Sequence, residues 1–324
     1  MTNGTKNLTV VAGGAGFIGS HLCEALLARG HEVLCLDNLQ TSRPVNLRRL
    51  QLHPGFTFIE ADIVKPLPRA VLDQARRISR VYNLACAASP PHYQADPEHT
   101  MLTNVVGTSR LLHLAERAGA RFLLTSTSEV YGDPESHPQR EDYRGWVNCT
   151  GPRACYDEGK RAAEAMAFDY ARMGRATVRV ARIFNTYGPH MNPDDGRVVS
   201  NLICQALSGQ EITLYGDGSQ TRSFCYVDDL IEAMVRMMES GPGFTGPVNI
   251  GNPVEHTMLQ LAEKVLALVG GRSKLVFRPL PADDPRQRQP DITLAKDRLG
   301  WQPTVGIDDG LRETIAYFRR LLEA

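Results

Sequence analysis

The sequence predicts an α/β fold, a doubly wound parallel sheet with a smaller C-terminal lobe. Three observations carry that prediction. Over the first 130 residues or so, short apolar runs rich in branched and aromatic side chains alternate with stretches of helical spacing. That order builds a parallel sheet wrapped on both faces. A glycine-rich turn, "GGAGFIG", joins the first run to the first helix. From about residue 188 the texture changes, with Gly, Pro and Asp clusters separated by short helices.

The strands read in order as "LTVVAG", "EVLCLD", "FTFIEAD", "RVYNLA", "RFLLTSTS" and, later, "ATVRVARIFNTYGP" running into a loop. "SHLCEALLARG" has helical spacing and stops at Gly30, a C-cap residue type; "TSRLLHLAERAGA" supplies the helix before the fifth strand. Residues 1–187 therefore form the sheet domain, to which 224–252 return. The lobe takes 188–223 and 253–324. The terminal "DGLRETIAYFRRLLEA" is an amphipathic packing helix.

Lys plus Arg equals Asp plus Glu at 36 each in 324 residues. A nucleic-acid or anionic-membrane surface would need a basic excess. The N-terminal stretch lacks a signal-peptide arrangement and no apolar run could span a bilayer, which predicts a cytoplasmic protein. The seven cysteines are scattered without a CxxC. Neither a disulfide framework nor a metal site is expected, and Cys155 is read as a small packing thiol.

Gly13, Gly16 and Gly19 let the backbone turn tightly and approach a pyrophosphate at a helix N-terminus, the Rossmann arrangement. Asp37 ends the next strand about 20 residues on, where a carboxylate binds ribose hydroxyls and repels a 2′-phosphate, so NAD is expected rather than NADP. Asp62 ends the third strand and reads equally as an adenine contact or a plain loop carboxylate. In "ACYDEGK", Tyr156 and Lys160 stand one helical turn apart. The spacing alone fits a solvated surface pair. It also fits an acid/base pair in which the ammonium lowers the phenol from about 10 and the phenolate takes an alcohol proton as hydride leaves.

The glycine spacing, with a Tyr-Lys pair on the helix after the fifth strand, resembles the short-chain dehydrogenase/reductase superfamily. Thr127 in "TSTSEVYGD" stands at a strand end, where its hydroxyl can bond the reacting oxygen. Chain length, "ARIFNTYGP" and "GDGSQTRSF" resemble the extended members acting on nucleotide sugars. "LTSTSEVYGDP", "GPRACYDEGKR", "RVARIFNTYGP", "DGRVVSN" and "YGDGSQTRSFCYV" are most similar to UDP-glucuronate decarboxylases (UDP-xylose synthases), a resemblance running from the glycine turn to "LGWQP".

That resemblance implies oxidation at C4 of the sugar with Tyr156 and Lys160 as acid/base, loss of CO2 from C5, protonation there, and reduction of the ketone to UDP-xylose. It places Ser128 and Glu129 beside C5 and its carboxylate. Arg288 would relay the C5 proton; from sequence alone it reads equally as a loop cation. Arg222 suits the diphosphate as a bidentate guanidinium. Tyr93, Asn185, Arg197 and Tyr215 are implied sugar-nucleotide contacts. Phe17, Ile18, Asn38, Ile63, Leu84, Ala85 and Thr103 join the NAD contacts. A homodimer through helices near 100–118 and 156–173 is implied as well.

The chain departs from the family pattern at Leu102, at "NCTGPR" and at "DNLQTS". The first departure predicts a looser grip on the sugar and escape of some UDP-4-keto-pentose. A UDP-hexose 4-epimerase shares the glycines, Tyr and Lys but needs no feature for a carboxylate. A 4,6-dehydratase wants an acid where Ser128 stands. A non-enzymatic NAD-binding regulator would not need Thr127, Tyr156 and Lys160 together.

Overall fold

A computed structural model describes residues 7–271, 273–280 and 287–323. Residues 281–286, part of the Pro- and Asp-rich stretch before Arg288, lie outside the described residues.

Seven parallel strands make the central sheet: β1 (Leu8–Ala12), β2 (Glu32–Asp37), β3 (Phe56–Glu60), β4 (Ile78–Asn83), β5 (Arg121–Thr127), β6 (Thr177–Ile183) and β11 (Val248–Ile250). They lie in the order β3-β2-β1-β4-β5-β6-β11. Side chains alternate between faces, and both faces of the inner strands are buried, which is why those runs read as almost wholly apolar, while the edge strand β3 exposes Thr57 and Glu60. Val10, Ala12, Leu34, Leu36, Phe122 and Leu124 pack on one side with α5 (Thr108–Ala118) and α6 (Ala154–Arg172). Val11, Val33, Cys35 and Leu123 pack on the other with α1 (Phe17–Ala28) and α8 (Val227–Glu239). Gly30 follows α1 at φ +80, the left-handed residue expected there.

Strand order reverses between β1 and β4, so the loops at their carboxyl ends diverge and leave a crevice. The short helices α2 (Arg69–Leu72), α3 (Pro90–Ala95) and α4 (Pro97–Leu102) follow β3 and β4, and a wide π-type turn, Thr103–Gly107, leads from α4 into α5.

Over the crevice sit the remaining elements. The strand β7 (Thr186–Tyr187) pairs with β10 (Cys225–Tyr226), and β8 (Ile212–Tyr215) with β13 (Leu275–Arg278). Between β12 (Glu255–Thr257) and β14 (Gln287–Arg288) runs β9 (Thr221–Ser223), with Arg288 in register with Arg222. The helices α7 (Val198–Leu207), α9 (Met258–Val269), α10 (Thr293–Leu299) and α11 (Ile307–Leu322) complete this part. Among the described residues no helix is long and apolar enough to cross a membrane.

Candidate active site

Two adjoining cavities of about 440 and 80 Å3 occupy the crevice and share Gly13, Gly16, Thr41, Ser42, Leu84 and Cys86. The turn after β1 forms their common wall. Gly13 has φ +80, and a Cβ there would lie 2.8 Å from the Ala85 nitrogen. A Cβ on Gly19 would lie 2.0 Å from the Gly13 carbonyl oxygen. Only glycine leaves the backbone this close to strand β4 and to a bound phosphate.

The smaller cavity gathers Asp37, Asn38, Asp62, Ile63, Leu84, Ala85 and Thr103. Asp37 is buried, and its carboxylate accepts from the Ala15 amide (3.0 Å), the Leu39 amide (2.8 Å) and the Ser42 hydroxyl (3.0 Å). It thus fixes the glycine turn as well as facing the cavity. Asp62 accepts from the Val64 amide at 2.9 Å and lies 3.0 Å from His99 Nε2. The close-approach glycines, the carboxylate at the end of β2 and the adjoining pocket fit an adenine dinucleotide whose ribose hydroxyls meet Asp37.

The larger cavity gathers Gly13, Gly16, Phe17, Ile18, Gly19, Thr127, Ser128, Glu129, Tyr156, Lys160, Asn185, Arg197, Tyr215, Arg222 and Arg288. Thr127 ends β5, and its hydroxyl accepts from the Glu129 amide at 3.2 Å, starting a tight turn over Ser128–Tyr131. The Thr127 side chain also acts to lower the pKa of the Tyr156 phenol. Tyr93 lies elsewhere than expected. It is 1% exposed, lines neither cavity, and stacks on Tyr156 with ring centres 5.2 Å apart, so it backs the phenol instead of meeting a ligand. Leu102, at the end of α4, also lines neither cavity.

The expected depression of Tyr156 by Lys160 is not a property of the protein groups alone. Burial pushes the phenol well above its usual value, with Cys86 and Glu129 adding to the rise and the Thr127 side chain and the Arg197 charge opposing it. Lys160 is buried too, which lowers its ammonium, and its Nζ donates to the Thr125 carbonyl at 2.9 Å. Its Nζ is 5.8 Å from the Tyr156 ring centre.

Glu129 carries the densest electrostatics. Arg288 clasps it with both terminal nitrogens, Nη1 on Oε1 and Nη2 on Oε2 (2.8 Å), while Arg153 Nη2 donates to Oε2 at 2.6 Å. Burial alone would raise this carboxyl; the two guanidiniums outweigh it and hold it down at about 2. Arg153 was not singled out from the sequence. Its signal was positional, since it precedes Tyr156 by three residues and falls on the same helical face. Among the described residues no cluster of three or more His, Cys, Asp or Glu could hold a metal ion.

The "NAD dependent epimerase/dehydratase family" profile matches residues 9–251. UDP-glucuronic acid decarboxylase 1 of Danio rerio is 52% identical over 314 residues, 97% of this chain and 73% of that protein. UDP-glucuronic acid decarboxylase 3 of Arabidopsis thaliana is 52% identical over 303 residues, 93% of this chain and 86% of that one. Among solved structures, UDP-glucuronic acid 4-epimerase from Bacillus cereus, in complex with UDP-glucuronic acid and NAD, superposes with TM-score 0.87 at 29% identity, covering 97% of this chain and 99% of that one. With a matching profile over most of its length and a glycine turn, Asp37 and Tyr-Lys pair in the geometry above, the chain belongs to the NAD dependent epimerase/dehydratase family.

Proposed function

We propose that the protein is an NAD-dependent UDP-glucuronate decarboxylase that forms UDP-xylose. The observation that carries this reading is the doubly clasped Glu129, held by Arg288 and Arg153 beside Thr127 and Tyr156 in one cavity. A 4-epimerase of neutral hexoses has no carboxylate to manage and no use for that cluster.

When bound, NAD would supply the hydride acceptor for C4, the donor for the closing reduction and a positive nicotinamide charge near Tyr156. Asp37 and the glycine turn hold the dinucleotide, and Arg222, Arg197 and Tyr215 hold the UDP. Thr127 orients the C4 oxygen against Tyr156, which takes the hydroxyl proton while the ammonium of Lys160 favours the phenolate. The resulting ketone is β to the carboxylate, so the C5–carboxyl bond breaks with its electron pair entering the enolate. Ser128 and Glu129 face that carbon, and Arg288 presents the proton that closes the new C–H bond. Tyr156 finally gives its proton back to the C4 oxygen.

Leakage of the 4-keto pentose was expected from Leu102. That residue faces neither cavity, so the expectation loses its support. We assign a homodimer to the helices near 100–118 and 156–173, where Met101, Leu102, Val105, Val106 and Met166 are half-buried apolar side chains. All seven cysteines are free, which suits a reducing, cytoplasmic setting.

Turnover in deuterium oxide tests the reaction course. UDP-xylose carrying deuterium at C5 and protium at C4 is expected by NMR. Deuterium at C4, or no pentose, would overturn it.

A further inference from the structure

Next to the catalytic phenol stands a carboxylate to which the mechanism gives no part. Asp157, one residue after Tyr156 on α6, is buried. Its Oδ2 is 3.9 Å from Arg153 Nε, and its Oδ1 is buried with no hydrogen-bond partner. The Tyr93 hydroxyl is likewise buried without one, amid Arg153, Glu129 and Asp157. Two orphaned polar atoms at one cluster beside the cavity are costly in a fold and ask for a purpose.

Charge counting supplies one. With Asp157 ionised, Arg153 and Arg288 balance Glu129 and Asp157, and the cluster is neutral. A sugar carboxylate arriving beside Glu129 adds an uncompensated negative charge in a poorly solvated place. Taking up one proton restores the balance. Arg153 and Glu158 face Asp157 from its own helix, Glu129 from the turn after β5, Arg288 from β14 and Tyr93 from α3.

Resting on the reading of the substrate as a UDP-uronate, we propose that Asp157 is a proton-linked specificity residue, taking up one proton when a carboxylate-bearing sugar enters and none when a neutral hexose does. Burial and the neighbouring Glu129 charge raise this carboxyl to about 7 against the pull of Arg153, so the proton is exchanged at physiological pH. The stoichiometry also matches the chemistry. Replacing a carboxylate by hydrogen consumes one proton overall: the C5–carboxyl bond breaks, neutral CO2 departs, and a proton joins C5. When the sugar's negative charge leaves as CO2, Asp157 can give its proton up again. Asp157 lines neither cavity and acts through the charge of Arg153 and Glu129.

Calorimetric titration of the NADH-loaded enzyme, which cannot take a hydride, tests this with two ligands in buffers of different ionisation enthalpy. UDP-glucuronate should take up about one proton per site near pH 8, and its Kd should weaken by up to about tenfold per pH unit above pH 7. UDP-glucose should take up none. Asp157→Asn should flatten the UDP-glucuronate profile. Uptake below about half a proton in the wild-type enzyme, or an unchanged profile in a folded Asp157→Asn, overturns the proposal while leaving the decarboxylase reading intact. Should Asp157→Asn not fold, the wild-type count with the two ligands decides alone. Failure of UDP-glucuronate to bind at all overturns both.

Discussion

Tyr156 and Glu129 are held by opposite means. Tyr156 sits in an apolar wall of Tyr93, Ala87 and Cys86, and burial keeps its proton on. Tyr156→Phe should fold normally and lose hydride transfer by about 10²-fold or more, read as absence of enzyme-bound NADH absorbance; wild-type NADH formation would remove the phenol from its role. Glu129 is kept ionised by two arginines. A carboxyl depressed from its unfolded value to about 2 contributes stability that is complete above about pH 4.5 and lost as pH falls through 2. Glu129→Gln should therefore destabilise by on the order of 3 kcal/mol at neutral pH, and the gap from wild type should close on acidification. A gap constant from pH 7 to pH 2.5 would contradict the assignment. Arg288→Ala should slow turnover more than it weakens NAD binding, and Arg288→Lys should fail as well, because an ammonium cannot reproduce the two-pronged clasp.

Individual elements show what pattern could reveal. The strands, the glycine turn and the carboxylate ending β2 are local signals, each set by neighbours within a few residues, and all were readable. Tyr156 and Lys160 were readable because a helical turn joins them. The clasp of Glu129 by Arg288 spans 159 positions and depends on β14 pairing with β9, which no periodicity announces. The stacking of Tyr93 on Tyr156 was unreadable for a similar reason, since nothing in "SPPHYQ" says whether α3 faces the cavity or the back of Tyr156. Buried Arg179 on β6 was also invisible as a structural device. Its guanidinium donates to the Met237, Ser240 and Gly241 carbonyls, at 3.2, 2.8 and 2.7 Å, at the C-terminus of α8. Carbonyls at a helix end lack the intrahelical amides that earlier turns supply, and the guanidinium adds to the Ser240 amide and hydroxyl on Met237 and to the Phe244 amide on Gly241. Arg179→Ala should destabilise by about 3 kcal/mol or more, seen as a lowered urea midpoint, with NAD affinity in the folded variant unchanged.

At the scale of the whole molecule, the sheet's switch point brings two adjoining cavities into one crevice, and Arg197, Tyr215, Arg222 and Arg288 from the elements above the sheet line the larger one. Asp37 should make NADP bind at least about tenfold more weakly than NAD; equal affinity by fluorescence titration would refute its role. Sedimentation at micromolar concentration should show a dimer, and a monomer would refute the assigned helices. The central claim is that this crevice removes a carboxylate from a UDP-sugar. Mass spectrometry of the UDP-sugar pool after incubation with NAD and UDP-glucuronate tests it most directly. A product lighter by one CO2 is expected, while an epimer of unchanged mass, or a product lighter by one water, would contradict the account.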